Sequence, residues 1–244
     1  DGFTVGAADT ANTNSQTFVA WNWKETADAG FDIVSYTGTG SNRTVAHNLG
    51  VVPQMIIVKR YNDGTASWMV YHQSLGNNKY LSLDATAAED TGHWNSTSPT
   101  ASVFSVDTDQ RVNANGASYI AYVFAQKQGL SRFGSYVGNG NADGTFVYTG
   151  FKPAWVMTKT INAVDDWQIL DNKRNGFNPN NFQLVANSSN VEQTSGSRAD
   201  FLSNGFKIRT SGGSWNPSGG AILYMAFAEN PFVTSTGNGS IPAC

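Results

Sequence analysis

Apolar and polar positions in this chain alternate in short runs broken by clusters of Gly, Asn, Asp and Ser, and no stretch sustains the 3.6-residue period of a helix. Residues 54–59 and 154–159 are nearly continuous in apolar and β-branched side chains, and each run follows a proline, Pro53 or Pro153, placed where a ladder has not yet begun. Turn chemistry comes next: Asn62-Asp63-Gly64 before Trp68 and Val164-Asp165-Asp166 before Trp167 predict a hairpin after each run. Residues 85–90 are the one segment that reads as a helical turn.

The pattern repeats. Gly205-Phe206-Lys207-Ile208 and, after a polar loop, Ile222-Leu223-Tyr224-Met225-Ala226-Phe227-Ala228-Glu229 match Val103-Phe104-Ser105-Val106 and Tyr119-Ile120-Ala121-Tyr122-Val123-Phe124-Ala125-Gln126. They also match Gly2-Phe3-Thr4-Val5 and Phe18-Val19-Ala20-Trp21-Asn22-Trp23-Lys24-Glu25. The landmarks Tyr36/Tyr136, Pro53/Pro153 and Trp68/Trp167 recur in the same order, so the chain is a tandem array with a repeat of about 100 residues. Each Phe-led segment reads as a hairpin across Asn113-Ala114-Asn115-Gly116 or Asn216-Pro217-Ser218-Gly219-Gly220. Short strands at this spacing predict an all-β chain of two tandem β-sandwich, jelly-roll-like domains preceded by an orphan β-hairpin. The divisions fall at 1–25 for the orphan hairpin, 26–130 and 131–232 for the sandwiches, and 233–244 for a polar tail.

Composition narrows the setting. Charged residues are only 14% of the chain while aromatics reach 12%, which argues for packed cores and against disorder, and is expected of an extracellular β protein. The net charge is −3 and no basic cluster exceeds Lys59-Arg60 or Lys173-Arg174, so nucleic acid is not an expected partner. No apolar run approaches the ~20 residues of a membrane helix, so membrane insertion is not expected. The single cysteine, Cys244, allows no intrachain disulfide and leaves stability to cores or assembly.

The residues give no catalytic constellation. His47, His72 and His93 lack a ligand spacing that repeats, with His47 replaced by Tyr148 in the second copy, so no metal site is expected from them. Asp107-Thr108-Asp109 and Asn141-Ala142-Asp143-Gly144 hold calcium-type oxygens but read as turns. No nucleophile elbow, carboxylate pair across a cleft or cofactor motif stands out, and neither enzyme activity nor a cofactor is expected. Repeated aromatics such as Trp68/Trp167 and Trp23/Phe124/Phe227 belong to cores. Trp94-Asn95 and Trp215-Asn216 lie in polar loops without an aromatic counterpart. They are the candidate ligand residues, since a ring covers a sugar face while amides take its hydroxyls; packing beneath their own loops is the competing reading.

Several motifs together carry a resemblance that spans nearly the whole chain: Val-Pro-Gln-Met-Ile-Ile-Val-Lys-Arg at 52–60, Phe-Gly-Ser-Tyr-Val-Gly-Asn-Gly-Asn-Ala-Asp-Gly at 133–144, Tyr-Thr-Gly-Phe-Lys-Pro-Ala-Trp-Val-Met at 148–157, Asp-Phe-Leu-Ser-Asn-Gly-Phe-Lys-Ile-Arg at 200–209 and Tyr-Met-Ala-Phe-Ala-Glu-Asn-Pro-Phe at 224–232. The chain resembles an uncharacterised tandem repeat domain of tailed-bacteriophage virion proteins, of the tail-fibre and appendage type. The resemblance implies a structural, oligomeric virion component, with other copies of itself in a homotrimer, other virion proteins and a host surface glycan as expected partners. A secreted carbohydrate-binding module or adhesin and a subunit of an extracellular filament are the alternatives. The orphan hairpin is read as the remainder of a unit cut from a longer chain, with strand exchange between subunits as the alternative.

Overall fold

The computed structural model describes residues 2–62 and 64–231; the tail with Cys244, and Asp63 of the first expected hairpin turn, lie outside them. The first group of strands is β1 (Phe31–Thr37), β2 (Arg43–Ala46), β3 (Met55–Arg60), β4 (Met69–His72), β5 (Lys79–Ser82), β6 (Asp90–Thr91), β7 (Val103–Val106) and β8 (Ser118–Phe124). The second is β9 (Ser131–Val137), β10 (Phe146–Tyr148), β11 (Pro153–Thr160), β12 (Gln168–Asp171), β13 (Gln183–Val185), β14 (Ala199–Leu202), β15 (Gly205–Ile208) and β16 (Ala221–Ala228). The all-β expectation holds.

Each group builds a large sheet and a small one. The first unit has the order β1-β8-β3-β4-β5-β6 with the pair β2-β7. The second has β13-β12-β11-β16-β9 with β10-β15-β14. Every strand pairing is antiparallel, and β3–β4 and β11–β12 form the two hairpins expected from the turn signals. The Phe-led segments differ from expectation. β7 pairs with β2 while β8 lies between β1 and β3 in the other sheet, and β15 and β16 part in the same way. Their polar loops therefore bridge two layers and do not close a hairpin. The reason is packing: Phe104 and Phe206 must face the core from the small sheet while Val123 and Ala226 face it from the large one.

The cores explain the continuous apolar runs. Along β3, Ile56 and Val58 point into the first unit's sandwich with Trp94, Phe104 and Tyr119, whereas Met55 and Ile57 point the other way. Along β11, Val156 faces the second unit's sandwich and Trp155 and Met157 face away from it. Those outward side chains meet. Met55, Ile57, Val70, Leu81 and Phe124 of the first unit and Trp155, Met157, Trp167, Ile169, Leu223 and Met225 of the second form one buried cluster, so the large sheets pack back to back. A strand buried on both faces has no polar side to alternate with.

Equivalent positions supply both halves of this contact. Met55 opposes Phe124 across β3–β8 as Trp155 opposes Phe227 across β11–β16, and Ile57 opposes Tyr122 as Met157 opposes Met225. The two repeats thus present the same face to each other, as the subunits of an isologous dimer do. Six polar bonds cross alongside: Trp167 Nε1 to the Ser82 carbonyl (2.8 Å), Gln73 Nε2 to that of Phe133 (2.9 Å), Glu89 N to that of Ile161 (2.8 Å), Asp165 N and Lys159 Nζ to that of Thr86 (2.8 and 3.4 Å), and His72 Nε2 to that of Tyr224 (3.3 Å). At about 1 kcal/mol net for each such bond, against ~1.5–3 kcal/mol for each large apolar side chain, the hydrophobic term dominates the interface.

Residues 2–25 do not form the expected orphan hairpin. They hold one short helix, α1 (Asp9–Asn12), and no strand. A copy of β8 needs a neighbour on each side, and the strands of that type in this chain, β1 with β3 and β9 with β11, are already paired to β8 and β16. The segment is instead an arm pinned by its aromatics to the rim of the shared core. Trp23 meets Trp155 and Phe227 edge-on at 5.4 and 5.5 Å, and Trp21 donates from Nε1 to Asp171 Oδ2 (3.2 Å) beneath the Arg174 guanidinium. The helical turn expected at 85–90 is also absent; the second short helix, α2 (Gln110–Asn113), lies instead in the loop that joins β7 to β8.

Truncating Trp167, fully buried between the units, with Trp167→Ala should cost about 3–5 kcal/mol in urea unfolding, because a cavity and an unpaired Ser82 carbonyl are left behind. His72 is held neutral: Nδ1 accepts from Ser74 N (3.1 Å), Nε2 faces the Tyr224 carbonyl, and burial lowers its pKa from 6.5 to about 4 despite that carbonyl. The unfolded chain therefore takes up the proton first as pH falls. His72 should lower stability by on the order of 3 kcal/mol as pH falls from 6.5 to 4, a limb that His72→Gln should flatten in pH-resolved denaturation.

Candidate functional site

The structure separates the sequence-predicted ligand residues from any ligand. Trp94 is buried in the first core, edge-on to Tyr71 at 5.8 Å, with Nε1 donating to the Lys79 carbonyl (2.9 Å). Trp215 is buried in the second core with Nε1 on Gln183 Oε1 (2.8 Å), and Asn216 is 0% exposed. Only Asn95 reaches the surface, where its Oδ1 accepts from Asn42 Nδ2 (2.8 Å). Neither indole offers a face to a sugar. Their loops are polar because they carry tight backbone turns; His93, Asn95 and Ser96 all sit at positive φ (73°, 50° and 45°).

Asn216 has its counterpart in Asn113, which heads the equivalent loop of the first unit. Asn216 Nδ2 donates to the carbonyls of Asn141 and Thr210 (both 2.7 Å) while Oδ1 accepts from Asn139 N (2.8 Å). In the first unit Asn113 Nδ2 donates to the carbonyls of Ser41 and Asp107 (both 2.7 Å) and Oδ1 accepts from Thr39 N (2.9 Å). Beside each, a buried tyrosine hydroxyl closes the corner: Tyr36 onto the Val112 carbonyl (2.7 Å) and Tyr136 onto that of Trp215 (2.9 Å), both phenols pushed well above their usual pKa by burial. Glycine is required there, since a Cβ on Gly38 or Gly138 would lie 2.1 or 2.2 Å from the Ala114 or Pro217 carbonyl oxygen. The Asn-Gly-Tyr corner is a repeated structural latch.

The calcium-type oxygens are engaged within their own turns. Asp107 accepts from His93 N and Asp109 N (2.7 and 2.8 Å), and Asp109 is bound by Arg111, so these calcium-type oxygens serve the turn. Asn139 and Asn141 likewise accept from backbone N–H groups, and Asp143 pairs with Lys207 (2.7 Å). Among the described residues no group of three His, Cys, Asp or Glu side chains is placed to hold a metal. Lys159, fully buried, has its amine pulled down to about 8 by burial against the pull of Asp165 and Asp166, but Nζ points at the carbonyls of Thr160, Ala163 and Thr86. It pins a turn to the neighbouring unit.

A family model described as a domain of unknown function, DUF7483, matches residues 1–231. The chain belongs to this family. No curated protein and no solved structure matches it.

Two surface concavities adjoin exposed aromatic side chains, Phe18 and Tyr148. One, about 870 Å³, runs between the arm (Thr17, Phe18, Val19) and the second unit (Arg174, Leu184, Val191). Behind the lining residue Arg174, burial works against ionisation of Asp171, but bonds from Arg174 and the Lys173 backbone outweigh it and hold the carboxyl below the usual range. The other, about 200 Å³, lies where the segment joining the units meets β10, and is lined by Gln126, Gln128, Ser131, Arg132, Tyr148 and Thr149. Tyr148 is 60% exposed and Phe146 43%, on the same outward face of β10.

Strand register identifies these aromatics as unrepeated. Val147 opposes Phe206 as Val45 opposes Phe104, which makes Phe146 and Tyr148 the counterparts of Thr44 and Ala46. His47 accordingly corresponds to Thr149 and not, as the sequence suggested, to Tyr148. The signal for both residues was present in the sequence, as an aromatic pair on alternate positions of one short strand.

Asn113→Ala and Asn216→Ala should each destabilise the protein by about 2–3 kcal/mol, because buried backbone donors and acceptors lose their partner. Thermal melts would show it, with the larger loss in Asn216→Ala, because Asn216 Nδ2 also donates to Asn139 Oδ1 (2.9 Å).

Proposed function

We propose that this DUF7483 chain is a structural component of a tailed-phage virion, part of a tail fibre or other appendage that contributes to host-surface attachment, assembled with copies of itself as a closed homotrimer and with other virion proteins. The observation that carries this reading is the fusion of two sandwiches through one shared core, which yields a stiff two-unit segment that sets its loops at fixed separation. Inter-domain contacts within a chain are ordinarily looser and more polar than this one. The sequence resemblance supports the same assignment, as does the low charge content of 14%.

An extracellular adhesin is the second reading, favoured by the exposed pair Phe146 and Tyr148. Quantitative mass spectrometry of purified particles separates the two. The appendage reading expects the chain in particles at a fixed ratio to other structural proteins, in a multiple of three copies. Its absence from particles, with secretion from uninfected cells, would overturn the reading.

A further inference from the structure

We propose that the pocket beside β10 is a binding site for one saccharide ring, stacked on Tyr148, with a neighbouring sugar reaching Phe146. The argument begins with the repeat. At the two outward positions of the equivalent strand the first unit carries Thr44 and Ala46, so the fold is built without aromatics there. Two large rings placed in water on the second unit alone are not explained by packing.

Their setting has the chemistry of sugar recognition. Residues two apart on a strand share a face and stand about 7 Å apart, which lets neighbouring rings of an oligosaccharide lie on successive aromatics. Gly205, across from Tyr148 on β15, is required by the backbone, since a Cβ there would lie 2.1 Å from the Val147 carbonyl oxygen, and its bare surface is covered by the Phe146 ring, whose Cζ would lie 3.0 Å from that Cβ. The concave wall adds the exposed side chain of Gln128 and the half-buried Gln126, both able to donate to and accept from hydroxyl groups. The cavity of about 200 Å³ falls below the ~300–1,000 Å³ of sites for drug-sized ligands, so it takes a single ring.

Lys207 and Arg209 beside the platform are paired with Asp143 (2.7 Å) and Asp200 (2.5 Å). The Arg132 guanidinium on the pocket wall is bonded to the neutral Tyr224 hydroxyl and adds a charged donor for a ring hydroxyl.

The proposal rests on the attachment reading but is tested apart from it. Saturation-transfer NMR on the whole chain would use the methyl glycosides of glucose, galactose, N-acetylglucosamine and rhamnose, with methyl phosphate as the anionic control. Transfer to at least one glycoside is expected, weakened about tenfold or more by Tyr148→Ala, reduced by Gln128→Ala, retained in Tyr148→Trp, and unchanged in Asn95→Ala. Because the first unit has alanine at this position, Tyr148→Ala should fold normally, which near-ultraviolet circular dichroism checks. No transfer to any glycoside, equal transfer in Tyr148→Ala, or transfer to methyl phosphate alone would overturn the proposal. Particles that contain the chain while Tyr148→Ala binds as wild type would remove the saccharide site and leave the appendage reading standing.

Discussion

Two sheets that each bury both faces organise this protein. The contact between them is apolar, built from large side chains such as Met55, Phe124, Trp155 and Trp167, and other features are placed by reference to it. It puts the small sheets on the outside of a four-layer stack and explains why β3 and β11 have no polar side. It also gives the arm its anchorage, because Trp23 docks where the rim of that core leaves Trp155 and Phe227 accessible. His72 is kept neutral by the same burial, so proton uptake and separation of the units are linked.

The internal repeat works as a control experiment within one chain. What recurs in register, the core faces and the Asn-Gly-Tyr corners, is what a single unit needs in order to fold. What does not recur has to be explained by something else. That criterion selects Phe146 and Tyr148 on β10 rather than the loop tryptophans, since Trp94 and Trp215 turn out to fill cores from loops whose polarity serves backbone turns. A tryptophan among asparagines looks alike in sequence whether its ring points out or in, and only the direction of the side chain decides.

The sequence by itself determined the all-β class, the two-unit organisation, the hairpins after Pro53 and Pro153 and the core role of Trp68 and Trp167. These follow from local physics: alternation, turn chemistry and repetition are properties of neighbouring residues. The tertiary structure alone decided that β7 and β8 part into different layers, that the opening residues form an arm, that the Asn113 and Asn216 amides latch their corners, and that the two units share a core. Each of those depends on which strands are already paired and which faces are already covered. Such contacts join residues far apart along the chain, and a periodic pattern states that a face is apolar without stating what will cover it.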